Sequence, residues 1–377
     1  MSVTFAAALL FAITIALVLL PLMPTLSEWR NRRDTAPLRV VYESEVDIES
    51  FAKSFRSFID SNFRSILEEC RQAEDAREGR LGENREYIAV GSDGLSILSE
   101  AERRVGRSKR LVLSSADLLL PDRTVFLGEI YAGRSVYGGE RSIYRAILAE
   151  DSIDLGSSSR SLRWLHAGKR VHAAAGSVLH GRVSAGEVVN LEDGCGFERL
   201  RAPRIEFGAT SASAGPEAGK EAVPSVVLQP EDVPHLVEVE AGRWLVARKL
   251  EVPPDVIVEA DIVVTGWCRV GRGARILGSI KSHKDLYLAE GVRIEGSAVS
   301  GYGLYVGAGC HINGPALAET EIHLARGSTV GTAQRLTTVS GRTVHSACGV
   351  VAHGTVWAHV VGQVLPDSTE AHPGNVA

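Results

Sequence analysis

Leu286-Tyr287-Leu288-Ala289-Glu290-Gly291-Val292-Arg293-Ile294-Glu295-Gly296-Ser297-Ala298-Val299-Ser300-Gly301-Tyr302-Gly303 is one unit of a gapless eighteen-residue repeat that runs from Val252 to Val330. Aligning Val270, Leu288, Val306 and Leu324 brings Gly273, Gly291, Gly309 and Gly327 into one column. Ile276, Ile294, Ile312 and Val330 fill a second, and Gly278, Gly296 and Gly314 a third. Leu250, Cys268, Leu286, Leu304 and Ile322 form a fourth. A fixed period of this kind belongs to units that cannot bury a core alone and must stack on their neighbours.

Within the unit lies a finer period of six: three residues alternating in, out, in, then three at a corner. Strand alternation puts the first and third residues inside and the second outside. Glycine recurs at the corners because a sharp bend needs positive φ or close backbone approach. Three strands and three corners close one triangular turn, and successive turns stack as parallel strands ~4.8 Å apart. The repeat therefore predicts a mainly β chain built on a parallel β-helix. Strict columns over four turns disfavour an ordinary sandwich.

The rest of the chain is read outward from this stretch. Its 377 residues allow two or three domains, and 38 glycines against 6% aromatic residues suit a glycine-punctuated β fold. A net charge of −5 argues against nucleic acid as the main partner. Cys70, Cys195, Cys268, Cys310 and Cys348 are widely separated, which favours neither a disulfide framework nor a zinc ribbon. Cys268 and Cys310 fall on inward columns and read as small core residues in a reducing compartment.

Met1 to Ser27 carries no charged side chain, and the apolar run Phe5 to Leu22 is long enough to span a bilayer. No basic n-region or small-residue cleavage site marks it as a signal peptide. The basic residues Arg30, Arg32, Arg33 and Arg39 all follow the span, which predicts a cytoplasmic body. From Val40 to about Gln72 the apolar residues Ile48, Phe51, Phe55, Phe58, Ile59, Phe63, Ile66 and Leu67 form one helical stripe. Packing on its own domain is favoured over covering an open coil end. Arg71 to Arg85 reads as a charged linker. Val90 to Leu148 has short apolar runs, Leu111-Val112-Leu113 and Val125-Phe126-Leu127, without an evident register.

Between Ile153 and Phe207 the hexad returns in weaker form: Val189, Leu191, Gly194 and Phe197 repeat Val171, Ala173, Gly176 and Leu179 at a spacing of eighteen. Ala209 to Pro224 reads as a flexible linker. After the strong repeat, Val344, Cys348, Val350, Val356 and Val360 suggest one further turn after a shift of phase. The chain thus divides into an anchor (1–27), a juxtamembrane helix with charged linker (28–85), a first β-helical segment (86–208), a linker (209–224), a second segment (225–362) and a tail (363–377).

Val270-Gly271-Arg272-Gly273-Ala274-Arg275-Ile276, Leu288-Ala289-Glu290-Gly291-Val292-Arg293-Ile294 and Val306-Gly307-Ala308-Gly309-Cys310-His311-Ile312 resemble the V-x-G-x-I repeats of the bactofilins, bacterial cytoskeletal proteins that polymerise. The resemblance is strongest over Leu250 to Gly331. It implies a right-handed β-helix that self-assembles end to end without nucleotide. It also implies a membrane-bound homopolymer at the bacterial inner membrane, serving envelope or polysaccharide machinery. The sequence is also similar to hexapeptide-repeat acyltransferases, whose coil is left-handed. Spacing leaves the hand open, although the crossover rule favours right-handed connections.

An acyltransferase needs a histidine base beside a cleft. His283 lies at a corner, while His311 and His323 lie on outward strand positions, none beside a recognisable carboxylate. His345, His353 and His359 with Cys348 read as outward corner residues on different faces rather than a metal site. No helix follows the Gly-x-Gly corners, so nucleotide binding is not supported. No enzyme activity, cofactor or metal is expected. The outward columns matter more: Tyr287, Tyr305 and His323; Arg275, Arg293 and His311; Lys281, Val299 and Leu317. Val299 and Leu317, over a thin core, are candidates for exposed lateral contact.

Overall fold

The computed structural model describes residues 48–73, 76–82, 85–91, 97–208 and 226–366, with scattered positions between Phe11 and Met23. Most of the apolar run Phe5 to Leu22, together with Arg30, Arg32, Arg33 and Arg39, lies outside the described residues. Among the described residues no helix is long and apolar enough to cross a membrane.

The eighteen-residue unit folds as three short strands. Leu286–Leu288 lies on one face (face I), Arg293–Ile294 on the next (face II) and Ala298–Ser300 on the third (face III). Each pairs in parallel with the residues eighteen positions on: Leu286 with Leu304, Arg293 with His311, Ala298 with Ala316. Leu286 and Leu288 are buried and Tyr287 between them is half-buried, as the alternation requires. Gly273, Gly291, Gly309 and Gly327 hold φ between 66° and 71° at the corners. Gly278, Gly296 and Gly314 serve differently. A Cβ on them would sit 2.5–2.6 Å from a carbonyl oxygen of the preceding turn, so these corners need glycine for close approach.

A β-solenoid of about 13 turns results, in two coils. The first begins well before the residues that showed a period. On face III, Arg85–Val90 pairs with Leu111–Ser114, which pairs with Val125–Ala132. Its corner column runs Arg123, Arg141, Ser158, Gly176 and Gly194, all at positive φ. Register shifts between Phe126 and Glu129, Ser161 and Trp164, and Leu179 and Arg182 add bulges. Bulky Phe126, Tyr144 and Ile147 fill its interior.

The two coils run in opposite directions and meet at their C-terminal turns. Gly196–Phe207 pairs antiparallel with Val350–Val364 around the whole perimeter: Phe197 opposite Gly362 on face I, Leu200 opposite Val356 on face III, Ile205 opposite Ala352 on face II. The first coil visits the faces in the order I, III, II and the second in the order I, II, III. Reversing both the sense and the direction leaves the hand unchanged, so the coils share one hand. One hydrophobic core runs from Ile88 through the seam to Val364. The coil is therefore neither continuous along the chain nor split into separate bodies.

Two expectations are corrected here, the end of the second segment and the charged linker. Val350–Val364 continues past 362, and Val360 is 57% exposed at a corner rather than inward. The expected shift of phase is present: an extra turn at Thr332–Arg335 moves it by four residues. Within the charged linker, Arg77–Leu81 forms an edge strand antiparallel to Arg85–Val90, its charges facing solvent.

The amphipathic stripe yields α1 (Ser50–Asn62) and α2 (Arg64–Ala73). They lie along face III of the first coil, not over an end. Phe55, Ile59, Phe63 and Cys70 pack on Leu111, Leu113, Ala146, Leu148 and Trp164. The Phe55 and Trp164 rings meet edge-on at 5.5 Å, and Arg56 forms a bidentate pair with Glu150, both contacts 2.9 Å. Fully burying one such aliphatic or aromatic side chain contributes ~1.5–3 kcal/mol. Outward apolar residues here are explained by the helices that cover them. At this coil's start, α3 (Glu100–Val105) is held by a Ser99/Glu102 capping box. Beside it, Ile97 and Leu98 are buried in the core.

The two glycine roles separate experimentally. At Gly309, φ is +66° with nothing within 4 Å of a new Cβ, whereas at Gly168 a Cβ would sit 2.0 Å from Glu150 O. Gly309→Ala should cost about 1–2 kcal/mol, the left-handed penalty alone. Gly168→Ala should cost more, because two backbones must part. Equal shifts in urea unfolding midpoint would reject the distinction.

Candidate functional site

Parallel in-register stacking turns each outward position into a column, so the surface is written as ladders. On face I of the second coil, Tyr287 stacks on Tyr305 at 4.8 Å, Tyr305 on His323 at 5.2 Å, and His323 on His345 at 4.8 Å. Arg269 lies 5.7 Å from the Tyr287 ring centroid, extending the ladder toward Trp267. Beside it, Glu321 accepts from the Tyr305 hydroxyl at 2.5 Å and from His323 Nε2 at 3.2 Å.

These contacts set the ladder's ionisation. The Tyr305 hydrogen bond, then His323, hold Glu321 below the usual carboxylate range. Burial, then Glu321, push the Tyr305 phenol up. Burial, then the neighbouring His323, push the His345 imidazole down. The rings spend their faces on one another and present edges to solvent. Glu321 is committed to two ladder members. The arrangement stabilises the face.

The other histidines are dispersed. His283 sits at the corner after Ile280–Ser282. His311 stands in the face II column with Arg275 and Arg293, its Nδ1 3.0 Å from Gly309 O. His345 lies on a strand beside His323, not at a corner. His353 Nδ1 is 2.9 Å from Pro203 O across the seam, and His359 Nε2 is 3.1 Å from Ser340 Oγ. Cys348 Sγ donates to Asp193 Oδ1 at 2.9 Å, also across the seam. Among the described residues no three His, Cys, Asp or Glu groups are placed to hold a metal ion. All five cysteines are buried. Burial pushes the Cys195 thiol up to about 11 and those of Cys268 and Cys310 to about 12, which suppresses the thiolate.

The face III column runs Leu245, Val263, Lys281, Val299, Leu317, Ser340 and Trp357, then crosses the seam to Arg199, Arg182 and Trp164. Val299 and Leu317 are half-buried rather than exposed. Beneath them Ala298, Ser300 and Ala316 keep the interior thin. The buried Ser300 hydroxyl is 2.6 Å from Lys284 O and 2.8 Å from Gly303 O, so it ties down the corner backbone. On the first coil the same face lies under α1, where His166 is 8% exposed and its Nδ1 is 2.8 Å from Ser184 Oγ. Burial there favours the neutral imidazole over the opposing pull of Glu49.

Sequence reasoning missed the seam. There Phe197 packs where a Cβ on Gly362 would come within 2.1 Å of its ring, and the Arg199 guanidinium stacks 3.8 Å over Trp357. Gly194 N donates to Val364 O at 3.0 Å, and Val364 N to Cys195 O at 2.8 Å. The available signal was that the first period stops at Phe207 and the second stops at Val364, each on an aromatic or β-branched inward residue. Comparison with family models, curated proteins and solved structures finds no match to this chain.

The ladder predicts an acid-sensitive fold. His345 binds its proton less readily folded than unfolded, so stability is fully present above the unfolded imidazole value of ~6.5 and declines as pH falls below it. His166 adds a decline of the same sign. His345→Gln should therefore shrink the loss of urea midpoint between pH 7.5 and 5.5 without abolishing it. An unchanged loss would show that the ladder does not titrate.

Proposed function

We propose that this chain is a self-assembling structural scaffold, bactofilin-like in kind, with a right-handed coil. One observation carries the reading: two coils of this chain join end to end by backbone hydrogen bonds on all three faces. That contact is the same kind of bond that a polymer of such coils needs. Outward chemistry agrees with it, since the thiols are buried and the ladder carboxylate is already engaged. The N-terminal apolar run and the arginines after it support attachment to a bacterial inner membrane with the body cytoplasmic. Envelope or polysaccharide machinery is the client class. Nothing in the placement of His283, His311 and His323 favours the acyltransferase reading.

The test is negative-stain electron microscopy with sedimentation of the full chain in mild detergent and without nucleotide. Filaments or sheets are expected. Discrete trimers would instead point to the acyltransferase architecture, and a persistent monomer would remove the scaffold reading. In the same assay, Val299→Glu combined with Leu317→Glu should weaken side-by-side association while leaving the far-ultraviolet dichroism unchanged. Association of normal strength in that double variant would exclude face III as the lateral contact.

A further inference from the structure

We propose that the seam also forms between copies, the first coil of one molecule closing on the second coil of another. The inference rests on the scaffold reading and names its joint. The partner is a second copy of this chain.

The seam is a strand-to-strand contact between two coils joined covalently by a single stretch. Both coils are closed at their starting ends, by Ile97, Leu98 and α3 in one and by the Pro230–Asp232 turn with buried Val233 in the other. Among the described residues their finishing ends are satisfied by each other. The fit is selective: Phe197 requires Gly362, Arg199 requires Trp357, Asp193 meets Cys348, and Pro203 O meets His353. A first coil therefore recognises a second coil and not another of its own kind. An exchanged seam contains the same contacts as a seam closed within one chain, which is why exchange of identical elements is a low-cost route to assembly.

The connection permits both closures. On face II, Glu206, Val351, Thr329, His311, Arg293, Arg275, Ile257 and Val227 lie in one register column. Seven strand spacings separate its ends, about 34 Å. Gly208 and Val226 flank those ends on the same corner, and the eighteen peptide steps between them reach about 60 Å. Closure within one chain therefore has slack, and a tether raises its effective concentration to the millimolar range. Where copies are held side by side at comparable density, exchange competes. Each molecule then gives one coil to each of two neighbours, and the chain of molecules stays open.

Removing Thr210–Glu221 decides it. Six steps reach about 21 Å, too short for the 34 Å path, so closure within one chain is forbidden while closure between chains is not. The full chain carrying this deletion should keep β-type dichroism and sediment as a dimer or larger, whereas a folded monomer would overturn the proposal. Should the deletion not fold, a second measurement stands on the natural connection. Arg201 and Thr355 are Cα partners across the seam, at the ~4.5–5.5 Å separation that a disulfide accepts. Full chains carrying Arg201→Cys and Thr355→Cys singly are refolded together and oxidised. A disulfide joining the two variants is expected, and its absence overturns the proposal. Filaments formed without that disulfide would leave the scaffold reading intact and remove the seam from it.

Discussion

The hydrogen bonds of this fold run along its axis. Each turn's N–H and C=O groups are satisfied by the turns above and below rather than within the turn, as Cys268 with Leu286 and Leu286 with Leu304 illustrate. The interior of a coil is therefore uniform, and every structural decision is forced to its ends, where a turn has only one neighbour. The chain answers this in three ways. It lays an antiparallel edge strand on each start, Arg77–Leu81 on one coil and Leu236–Glu240 on the other. It folds short turns over the core at those ends. It joins the two finishes to each other.

Joining the finishes has a consequence for packing. Antiparallel pairing at the seam lets the inward residues of both last turns share one interior, so Phe197 and Phe207 meet at 5.5 Å beside Val356 and Val364. Exposed finishes would leave a ring of unpaired backbone groups and aromatic surface. The seam removes both at once, and it makes each coil's last turn dependent on the other's. Lateral cover works in parallel. α1 and α2 shield the outward leucines of the first coil, whereas the second coil keeps small or half-buried residues on the same face and needs no such cover.

How much was legible follows from which residues carry the geometry. In the second coil the corners are glycine and the interior is Leu, Val and Ile, so strand, corner and face could be read off directly. In the first coil the same corner is held by Arg123, Arg141 and Ser158 at φ of 50–58°. A non-glycine residue there is costly but tolerated when its neighbours fix it, and the sequence then shows no column. Bulges after Phe126, Ser161 and Leu179 displace the register further. The outward columns of Tyr287, Arg275 and Lys281 were readable because period eighteen fixes them. Val360 was misplaced because its strand changes face beside Gly341. The seam was illegible in principle, since it depends on two coil ends distant in sequence and on chain direction rather than on residue type.

The ladders show how an in-register solenoid surface groups like side chains. Catalysis needs unlike groups converging on one point. In-register stacking delivers like groups repeated every ~4.8 Å, and their mutual contact consumes their reactive surfaces. Tyr305 and His323 illustrate it, each ring covered on both sides by a neighbour. Unlike groups meet in pairs where the repeat is broken, at the seam, Arg199 on Trp357 on face III and Asp193 with Cys348 at a corner. Those residues are spent on holding one coil to another. The contacts between unlike side chains that hold the two coils together thus lie in the joint between them.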